Sequence, residues 1–441
     1  MKSLNFTIKS LFFCLYITGV FSQNGYAYEW TSIKIDSLVN IDELNVCVNN
    51  SNVGYFVYRN TDSHQLKVAK YNGTYFDFTV VDEDVWDGNN VMAFKPDGNP
   101  AILYYAGSVA DYEISYASFD GTVWTTEEIG VSTGSGIGGA NLDFDDAGNP
   151  HVCFQKYGSS HWQTNYAYRD GSTWNIEILA ENEGNQSSLV IGDDGTVHIA
   201  YVNWDGMIKY ASKSTGGNWV INEVTGGDVE NIPSIKLNGA GYPVIGYYND
   251  QKVKLAVYDG TTWTTIEITN AQFGAGELVS MDLDNNDNAH FTLYSTYTLK
   301  YAFYDGSNTT VTDIEQFISV DYNPKIAAGT NGSVHLVDVN KYFYLGPVTN
   351  INKPTFNQPE ISVGPNPFIN TLKISIENPS DLNPEITIYN SIGQVVKKAI
   401  AQSNNYNWNG TNNNNNEVEN GLYFIVFELN KNRQTCKIIK Q

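Results

Sequence analysis

Short runs of alternating apolar and polar residues, separated by glycine-containing turns, fill most of this chain and predict β-strands rather than helices. One pattern, an apolar strand followed by a Gly-containing turn and usually an aromatic residue, recurs at Val68–Phe76, Tyr116–Trp124, Tyr166–Trp174, Tyr210–Trp219, Leu255–Trp263 and Tyr301–Thr309. Its Asp-Gly and Asn-Gly turns suit two-residue hairpins, because both central residues adopt positive φ angles. The turn glycines are 43 to 50 residues apart, which is the period of a four-stranded propeller blade: Gly73, Gly121, Gly171, Gly217, Gly260 and Gly306.

A second hairpin pattern lies between the copies of the first and consists of two apolar runs joined by a turn of the form Asp-x-x-Gly-x-Pro. It occurs seven times, against six copies of the first pattern: Leu44–Tyr58, Met92–Tyr104, Leu142–Phe154, Leu189–Tyr201, Ile235–Tyr247, Met281–Tyr294 and Ile326–Val337. Tyr342–Leu345 supplies a third strand for the last set, but no fourth strand follows. Trp30–Asp36, near the start, is an orphan strand patterned like Trp124–Ile129. We therefore predict that the N-terminal strand completes the last sheet, which leaves the ring without open edges.

The predicted fold is all-β: a seven-bladed β-propeller over residues 23–349, followed by a small β-sandwich C-terminal domain. Thirty tyrosines, nine tryptophans and 38 glycines agree with sheet and tight turns. Residues 1–22 predict a signal peptide, because Lys2 and Lys9 precede or flank an apolar run, Leu11–Phe21, that is too short to span a bilayer. The remaining cysteines are odd in number and unrelated in position, so no disulfide framework is predicted.

A stretch rich in Pro, Asn and Thr at Pro347–Pro359 predicts a linker, residues 350–359, to a separate domain at residues 360–441. The strands predicted in that domain are Leu372–Glu377, Glu385–Tyr389, Gln394–Ala399, Gly421–Glu428 and Thr435–Lys440. Their alternating pattern and Gly-containing turns favour the β-sandwich.

Four motifs occur in order along this domain: VGPNPF at Val363–Phe368, IYNSIGQVV at Ile388–Val396, NGLYF at Asn420–Phe424 and CKIIK at Cys436–Lys440. Together they resemble the C-terminal sorting domain of the bacterial type IX secretion system, although that family usually has Lys or Arg where Cys436 stands. The resemblance implies handling by the type IX secretion machinery. It also implies that the protein is secreted or held at the outer surface of a Gram-negative bacterium.

The net charge of the predicted propeller limits the classes of ligand that it can bind. Residues 23–359 carry 41 acidic and 16 basic side chains, a balance that repels phosphate backbones and argues against a nucleic-acid partner. The repeats resemble those of secreted propellers related to the sialidase-type Asp-box family, but Asp120–Trp124 lacks the residue that separates Asp from Gly in that motif. A sialidase binds its substrate carboxylate through three arginines, whereas the propeller segment contains Arg59 and Arg169 alone. Sialidase activity is therefore not predicted.

Three further patterns suggest chemistry but are explained better by structure. Gly130–Gly134 matches a nucleophile-elbow sequence without the strand–turn–helix context. Asp282–Asp287 resembles the start of a calcium loop, but it lacks the terminal Glu and lies at a turn of the repeat. Four histidines recur at one position of the repeat and predict a repeated structural hydrogen bond: His151, His198, His290 and His335. The tryptophans of the repeat likewise predict core packing. No catalytic residue, metal site or cofactor is predicted.

Aromatic and acidic residues that do not belong to the repeat form the predicted ligand site. They fall near connections between the second and third strands of a blade, or between blades, which share one face of a propeller. Aromatic rings beside carboxylates suit sugar rings and their hydroxyl groups, and also suit a protein partner. The predicted ligand-binding residues are Trp86, Tyr105, Asp111, His161, Trp162, Trp204, Asp205, Tyr248, Asp250 and Tyr297.

These patterns predict a monomeric, non-catalytic propeller that binds a glycan or an extracellular protein. The alternative is a polysaccharide lyase or glycoside hydrolase acting at the same face, with His161 and a Tyr as candidates for the base. A lyase also needs a cation to neutralise the uronic carboxylate, and arginines are few in this chain. Formation of unsaturated product from acidic polysaccharides distinguishes the two functions.

Overall fold

The computed structural model describes residues 21–23, 26–36, 40–73, 75–85, 89–108, 111–132, 140–157, 162–180, 184, 186–225, 232–270, 279–295, 297–316, 323–347, 360–377, 385–391, 393–400, 405–429 and 432–441. Within these ranges, all regular secondary structure is β-strand. The strands between residues 21 and 347 form seven antiparallel sheets, and those between residues 360 and 440 form two more. None of the described residues belongs to a helix that is long and apolar enough to cross a membrane.

The seven sheets are numbered 1 to 7 here. The described part of the chain begins with two strands of sheet 7, β1 (Phe21–Gln23) and β2 (Tyr26–Lys34), and β1 overlaps the last two residues of the predicted signal peptide. Sheet 1 contains β3 (Ile41–Val48), β4 (Gly54–Asn60), β5 (Gln65–Tyr71) and β6 (Phe76–Asp82). Sheet 2 contains β7 (Asn90–Phe94), β8 (Pro100–Ser108), β9 (Asp111–Phe119) and β10 (Trp124–Ser132). Sheet 3 contains β11 (Asn141–Phe144), β12 (Pro150–Tyr157), β13 (Trp162–Asp170) and β14 (Thr173–Ala180).

The remaining sheets repeat this order. Sheet 4 contains β15 (Gln186–Ile191), β16 (Val197–Val202), β17 (Ile208–Lys213) and β18 (Val220–Thr225). Sheet 5 contains β19 (Ser234–Leu237), β20 (Pro243–Asn249), β21 (Lys252–Tyr258) and β22 (Trp263–Asn270). Sheet 6 contains β23 (Ser280–Leu283), β24 (Ala289–Ser295), β25 (Thr298–Tyr304) and β26 (Thr309–Gln316). Sheet 7 is completed by β27 (Lys325–Ala328), β28 (Val334–Asp338) and β29 (Lys341–Pro347).

The first strands of the seven sheets contact one another in a closed order: β3, β7, β11, β15, β19, β23, β27 and again β3. They line a central channel that contains a cavity of about 400 Å³. Acidic side chains join neighbouring first strands, since Asp143 accepts the Ile191 N–H at 2.8 Å and Asp282 accepts the Ala328 N–H at 2.9 Å. These two carboxylates therefore link sheets 3 to 4 and 6 to 7.

The N-terminal strand closes the last sheet, as the sequence predicts. Strand β2 pairs with β29 over seven residue pairs, from Tyr28 opposite Pro347 to Lys34 opposite Lys341. Trp30 packs edge-on against a tyrosine of sheet 6, Tyr301, with ring centroids 5.2 Å apart. Strand β2 thus joins sheet 7 to its neighbour as well as completing it.

The tryptophans that recur in the repeat pack between sheets, which confirms their predicted packing role. Three of them lie edge-on against a tyrosine of the preceding sheet, with centroids 5.2 to 5.6 Å apart: Trp174 on Tyr116, Trp219 on Tyr166 and Trp263 on Tyr210. The indole N–H of Trp174 donates to Glu127 at 3.3 Å, and that of Trp219 donates to Glu177 at 3.1 Å. Ring contact and hydrogen bond together hold sheet 3 against sheet 2 and sheet 4 against sheet 3.

The four recurring histidines make the predicted repeated hydrogen bond. In each case Nδ1 lies 2.5 to 2.8 Å from a tyrosine hydroxyl of the same sheet: His151 with Tyr166, His198 with Tyr210, His290 with Tyr301 and His335 with Tyr342. Burial lowers the pKa of His151 and His198, and lowers that of His335 to about 3. The described residues contain no group of three or more potential metal ligands. The shared tyrosine hydrogen bond and the burial of all four rings indicate a structural role for these histidines.

The C-terminal strands form two sheets around one core. One sheet contains β30 (Glu360–Gly364), β31 (Leu372–Glu377) and β34 (Asn405–Trp408); the other contains β32 (Glu385–Asn390), β33 (Val395–Ile400), β35 (Gly421–Leu429) and β36 (Asn432–Lys440). Fully buried Trp408 and Ile374 from the first sheet pack in one cluster with Ile388 and Ile425 from the second. All five predicted strands are present, and β30 and β34 are additional to them.

Candidate functional site

The antiparallel order of the strands gives the ring two different ends. The end that carries the connections between second and third strands is called the tip end here, and the end that carries the first-to-second and third-to-fourth connections is called the turn end. The predicted ligand site falls on the tip end. Trp204 and Asp205 lie on the connection in sheet 4, Asp250 lies on that in sheet 5, and Tyr297 lies on that in sheet 6.

Two of these tip residues present large rings to solvent. The side chain of Trp204 is 48% exposed and that of Tyr297 is 53% exposed. The hairpin that carries Trp204 is held by Asn203, whose Oδ1 accepts the N–H groups of Asp205 and Met207 at 3.1 and 2.8 Å. Tyr297 has a φ of 61°, a left-handed conformation that is uncommon for a bulky residue and occurs here in a tight turn. Local backbone geometry thus defines the turns that carry both residues.

The acidic residue between them is held by a neighbouring lysine. Asp250 and Gln251 both have positive φ angles, 54° and 60°, as a type I′ hairpin requires. The Lys254 ammonium lies 3.2 Å from the Asp250 carboxylate and also donates to Asn249. Asp205 and Asp250 are both exposed, so their carboxylates can accept hydrogen bonds from a ligand.

Tyr105 and Tyr248, predicted as loop residues of the ligand site, are core residues instead. Tyr105 is 0% exposed in β8 and Tyr248 is 5% exposed in β20. Tyr105 packs with Leu103 and Phe154 between sheets 2 and 3, and Tyr248 packs with Val253 between sheets 5 and 6. The second strands run further toward the tip end than the apolar pattern indicates, so these rings are covered by the adjacent sheet.

The structure describes the other predicted site residues only in part. Trp162 begins β13 at the tip end of sheet 3 and is half-buried. Asp111 begins β9, and its side chain lies outside the described part of the chain. Trp86 and His161 lie outside the described residues. The accessible described members of the predicted site are therefore Trp162, Trp204, Asp205, Asp250 and Tyr297.

A buried carboxyl group, Asp338, lies at the tip end of sheet 7. It is 1% exposed and accepts a hydrogen bond from Tyr294 of sheet 6. Its Oδ1 has no hydrogen-bond partner within the described part of the chain. Burial raises the pKa of Asp338 to about 7. A perturbed carboxyl of this kind is often catalytic, but one so enclosed cannot reach a polymeric substrate, so its effect is on stability.

We expect Asp338→Asn to stabilise the protein at pH 8. The folded-state pKa of about 7 exceeds the ordinary value of 3.8, so the folded state binds the proton more tightly, and stability is lost as the pH rises between these values. Asn keeps an acceptor for Tyr294 and removes the charge. Urea unfolding at pH 8 should show a gain of about 1–3 kcal/mol that disappears at pH 4. The exposed Asp205→Asn variant is the control, and a gain that does not depend on pH contradicts the assignment.

A pocket of about 430 Å³ opens between sheets 3 and 4 at the turn end, opposite to the predicted site. We call it the inter-sheet pocket; it is lined by Asp145, His151, Tyr168, Arg169, Asp170 and Lys213, together with residues 214–217. The sequence reasoning missed it. The available signal was a departure from the repeat, since five residues separate Lys213 from Trp219 where four separate Arg169 from Trp174.

Several solved structures are similar to this chain at low sequence identity. Among solved structures, the chain is similar to the fucose-specific lectin from Aleuria aurantia, with 13% identity, a TM-score of 0.45, and 62% of this chain and 96% of the lectin covered. It is similar to the SapL1 lectin in complex with α-methyl fucoside, with 11% identity, a TM-score of 0.44, and 63% and 97% covered. It is also similar to PorZ, a surface component of the type IX secretion system of Porphyromonas gingivalis, with 10% identity, a TM-score of 0.29, and 91% and 75% covered. TM-scores this low carry no argument about a ligand.

The C-terminal match is specific. No curated protein matches the chain, but the family model of the CHU_C type IX secretion signal domain matches residues 359–439. Apart from Lys440, the last residue of β36 and of the fourth motif, this range contains both C-terminal sheets and all four motifs identified in the sequence. Residues 359–439 are therefore a type IX secretion signal domain, and the protein is one that the type IX machinery exports to the cell surface or the exterior.

Proposed function

We propose that the exported part of this protein is a seven-bladed β-propeller that binds an extracellular glycan at its tip end without catalysing a reaction. The proposed division is a signal peptide at residues 1–22, the propeller at 23–349, a linker at 350–359 and a sandwich-like sorting domain at 360–441. The closed order of first strands from β3 to β27 supports the blade count. The pairing of β2 with β29 supports closure by the N-terminal strand.

The observation that carries the binding proposal is the exposure of Trp204 and Tyr297 on the tips of sheets 4 and 6. A water-exposed indole or phenol ring gives up apolar contact area that a folded protein would otherwise bury. The faces of pyranose rings are lined by C–H groups that pack against aromatic rings, while their hydroxyl groups need acceptors. Asp205 beside Trp204, and Asp250 on the sheet between the two rings, supply carboxylate acceptors.

The charge of the propeller segment favours a neutral glycan over an acidic one. Its 41 acidic and 16 basic side chains repel polyanions. Neutral chains of hexoses or pentoses fit exposed rings and carboxylates without that penalty. We therefore propose a neutral extracellular polysaccharide as the ligand of the tip end.

Replacing the exposed rings tests the proposal. On a glycan array, the purified protein should bind neutral oligosaccharides, and Trp204→Ala and Tyr297→Ala should each weaken the best interaction by about tenfold or more, because the apolar contact of a ring is lost. Tyr242→Ala is the matched control, since Tyr242 is 40% exposed but lies at the turn end. Unchanged binding in both tip variants rejects the site. Release of unsaturated product from acidic polysaccharides would show instead that the protein is a polysaccharide lyase.

A further inference from the structure

The inter-sheet pocket has the features of a second, independent binding site. We propose that it binds a single neutral sugar ring, at the opposite end of the ring of sheets from Trp204 and Tyr297. The volume of about 430 Å³ lies within the usual range of small-ligand sites, about 300–1,000 Å³. This proposal does not depend on glycan binding at the tip end.

The pocket exists because sheet 4 departs from the repeat at its third-to-fourth connection. The added residue is accommodated by Gly216, which has a φ of 71°, and by Gly217, where a Cβ atom would lie 2.6 Å from the Ser214 hydroxyl. Gly195 lies in the turn between the first and second strands of sheet 4. A Cβ atom there would lie 3.0 Å from Thr215 Oγ1, so a side chain at this position would crowd Thr215. Because the glycines at these positions have no side chains, sheet 4 leaves the space between itself and sheet 3 unfilled.

The wall formed by sheet 3 carries a stack of aromatic rings. The Tyr168 ring lies nearly parallel to that of Tyr166, at 5.8 Å and 23°, and to that of His151, at 6.1 Å and 21°. Tyr166 and His151 are buried, whereas Tyr168 is half-exposed and lines the pocket. The corresponding positions of sheets 2 and 4 are occupied by Ser118 and Ser212. Sheet 3 therefore offers an anchored aromatic surface that the C–H face of a sugar ring can cover.

Two cations line the pocket, and each is already neutralised by a glutamate of the preceding sheet. Arg169 Nη1 lies 3.2 Å from Glu127 Oε1, and Lys213 Nζ lies 2.7 Å from both carboxylate oxygens of Glu177. With these charges balanced, neither cation attracts an acid. Lys213 faces sheet 3 and can donate to a ligand in the pocket, whereas the side chain of Arg169, the residue after Tyr168 in β13, is directed to sheet 2.

The remaining polar groups favour hydroxyl ligands. Although burial acts to raise it, the pKa of Asp145 is held below its ordinary value by hydrogen bonds from Asn149, so this carboxylate stays ionised. Asp170 is exposed at the rim. The carboxylates of Asp145 and Asp170 beside two neutralised cations repel a uronic acid or a sulfated sugar, and their remaining lone pairs can accept hydrogen bonds from the hydroxyl groups of a neutral one. The pocket chemistry thus specifies an uncharged ring.

Two variants remove the site in different ways. Tyr168→Ala deletes the stacking surface, and Thr215→Trp fills the pocket from an exposed turn without removing a contact between sheets. Thr261→Trp, in the equivalent turn of sheet 5, is the matched control for the second. Circular dichroism and thermal melting establish that each variant is folded. Binding is measured by calorimetry or ligand-observed NMR on the full-length chain, with D-glucose, D-galactose, D-mannose, D-xylose, L-fucose and D-glucuronate as probes.

We expect at least one neutral sugar to bind and D-glucuronate to bind at least about tenfold more weakly. Tyr168→Ala and Thr215→Trp should each weaken the neutral sugar by about tenfold or more, whereas Thr261→Trp and Trp204→Ala should not. The proposal is overturned if no neutral probe binds, if glucuronate binds equally well, or if binding survives both pocket variants. Binding that is lost in Trp204→Ala alone rejects this pocket but supports the tip-end site.

Discussion

Deleting residues 23–37 is expected to abolish cooperative folding of the propeller segment. The deletion removes the seven residue pairs between β2 and β29 and leaves β29 as an open edge. It also removes Ile35, which is 3% exposed, and Asp36, which accepts hydrogen bonds from Tyr58 and Lys67 of sheet 1 at 2.9 Å each. Loss of the buried Ile35 and partly buried Trp30 side chains alone costs about 3–5 kcal/mol or more, a large part of the total stability of a typical domain, about 5–15 kcal/mol.

Thermal melting and size-exclusion chromatography measure the effect. The shortened chain should aggregate or melt without a cooperative transition. Its control ends the chain at residue 350 instead, and this variant should remain soluble with one cooperative transition, because no strand of sheets 1 to 7 lies beyond Pro347 in the described residues. A stable N-terminal deletion together with an unfolded C-terminal truncation would show that both the closure and the domain boundary are misplaced.

Lowering the pH from 6.5 to 4 is expected to destabilise the protein by about 3 kcal/mol through His335 alone. Burial lowers the folded-state pKa of His335 from 6.5 to about 3, so between these values the unfolded state binds more protons. The contribution of His335 to stability is therefore complete above pH 6.5 and is lost as the pH decreases, which is opposite to the contribution of Asp338. His151 and His198, whose pKa values burial also lowers, add to the loss.

Urea unfolding between pH 4 and 7 tests this dependence. His335→Asn keeps a polar atom near the Tyr342 hydroxyl and cannot be protonated, so the slope of unfolding free energy against pH should decrease by up to one proton. The variant is also expected to lose about 1–3 kcal/mol at pH 7, because Asn leaves part of the site empty. His64→Asn is the matched control, because His64 has a φ of 58°, a conformation that Asn tolerates. An unchanged slope in His335→Asn contradicts the mechanism.

The sequence predicts the repeat well because strand and turn residues are local signals. Trp174 and Trp219 recur at nearly constant spacing, and each packs on the preceding sheet as their pattern indicates. The histidine hydrogen bonds are also predictable, because the same residue type at the same position of several repeats is expected to make the same contact in each. Strand β34 (Asn405–Trp408) is different: it lies in an Asn-rich stretch, and its identity depends on the burial of Trp408 in a core that two sheets share.

The candidate sites are less predictable because exposure depends on the neighbouring sheet. Tyr105 and Tyr297 both adjoin connections at the tip end, yet one is covered by sheet 3 and the other is 53% exposed. No pattern within a single hairpin separates these two outcomes. The inter-sheet pocket was missed for a related reason, since it arises from one added residue in sheet 4 beside an aromatic stack in sheet 3. Its signal becomes readable when copies of the repeat are compared with one another.

The antiparallel pairing of β2 with β29 also determines how the ring responds to mechanical force. Tyr28 stands opposite Pro347, so once the three pairs between β1 and β2 are released, the segments that precede β2 and follow β29 leave the ring at the same end of one ladder. Tension between these segments would load the seven residue pairs one after another, from Tyr28 toward Lys34, instead of loading them together. A force applied between the type IX secretion signal domain and the N-terminal segment would therefore peel sheet 7 open at a low force. The other six sheets would carry no load until the pairs between β2 and β29 had separated.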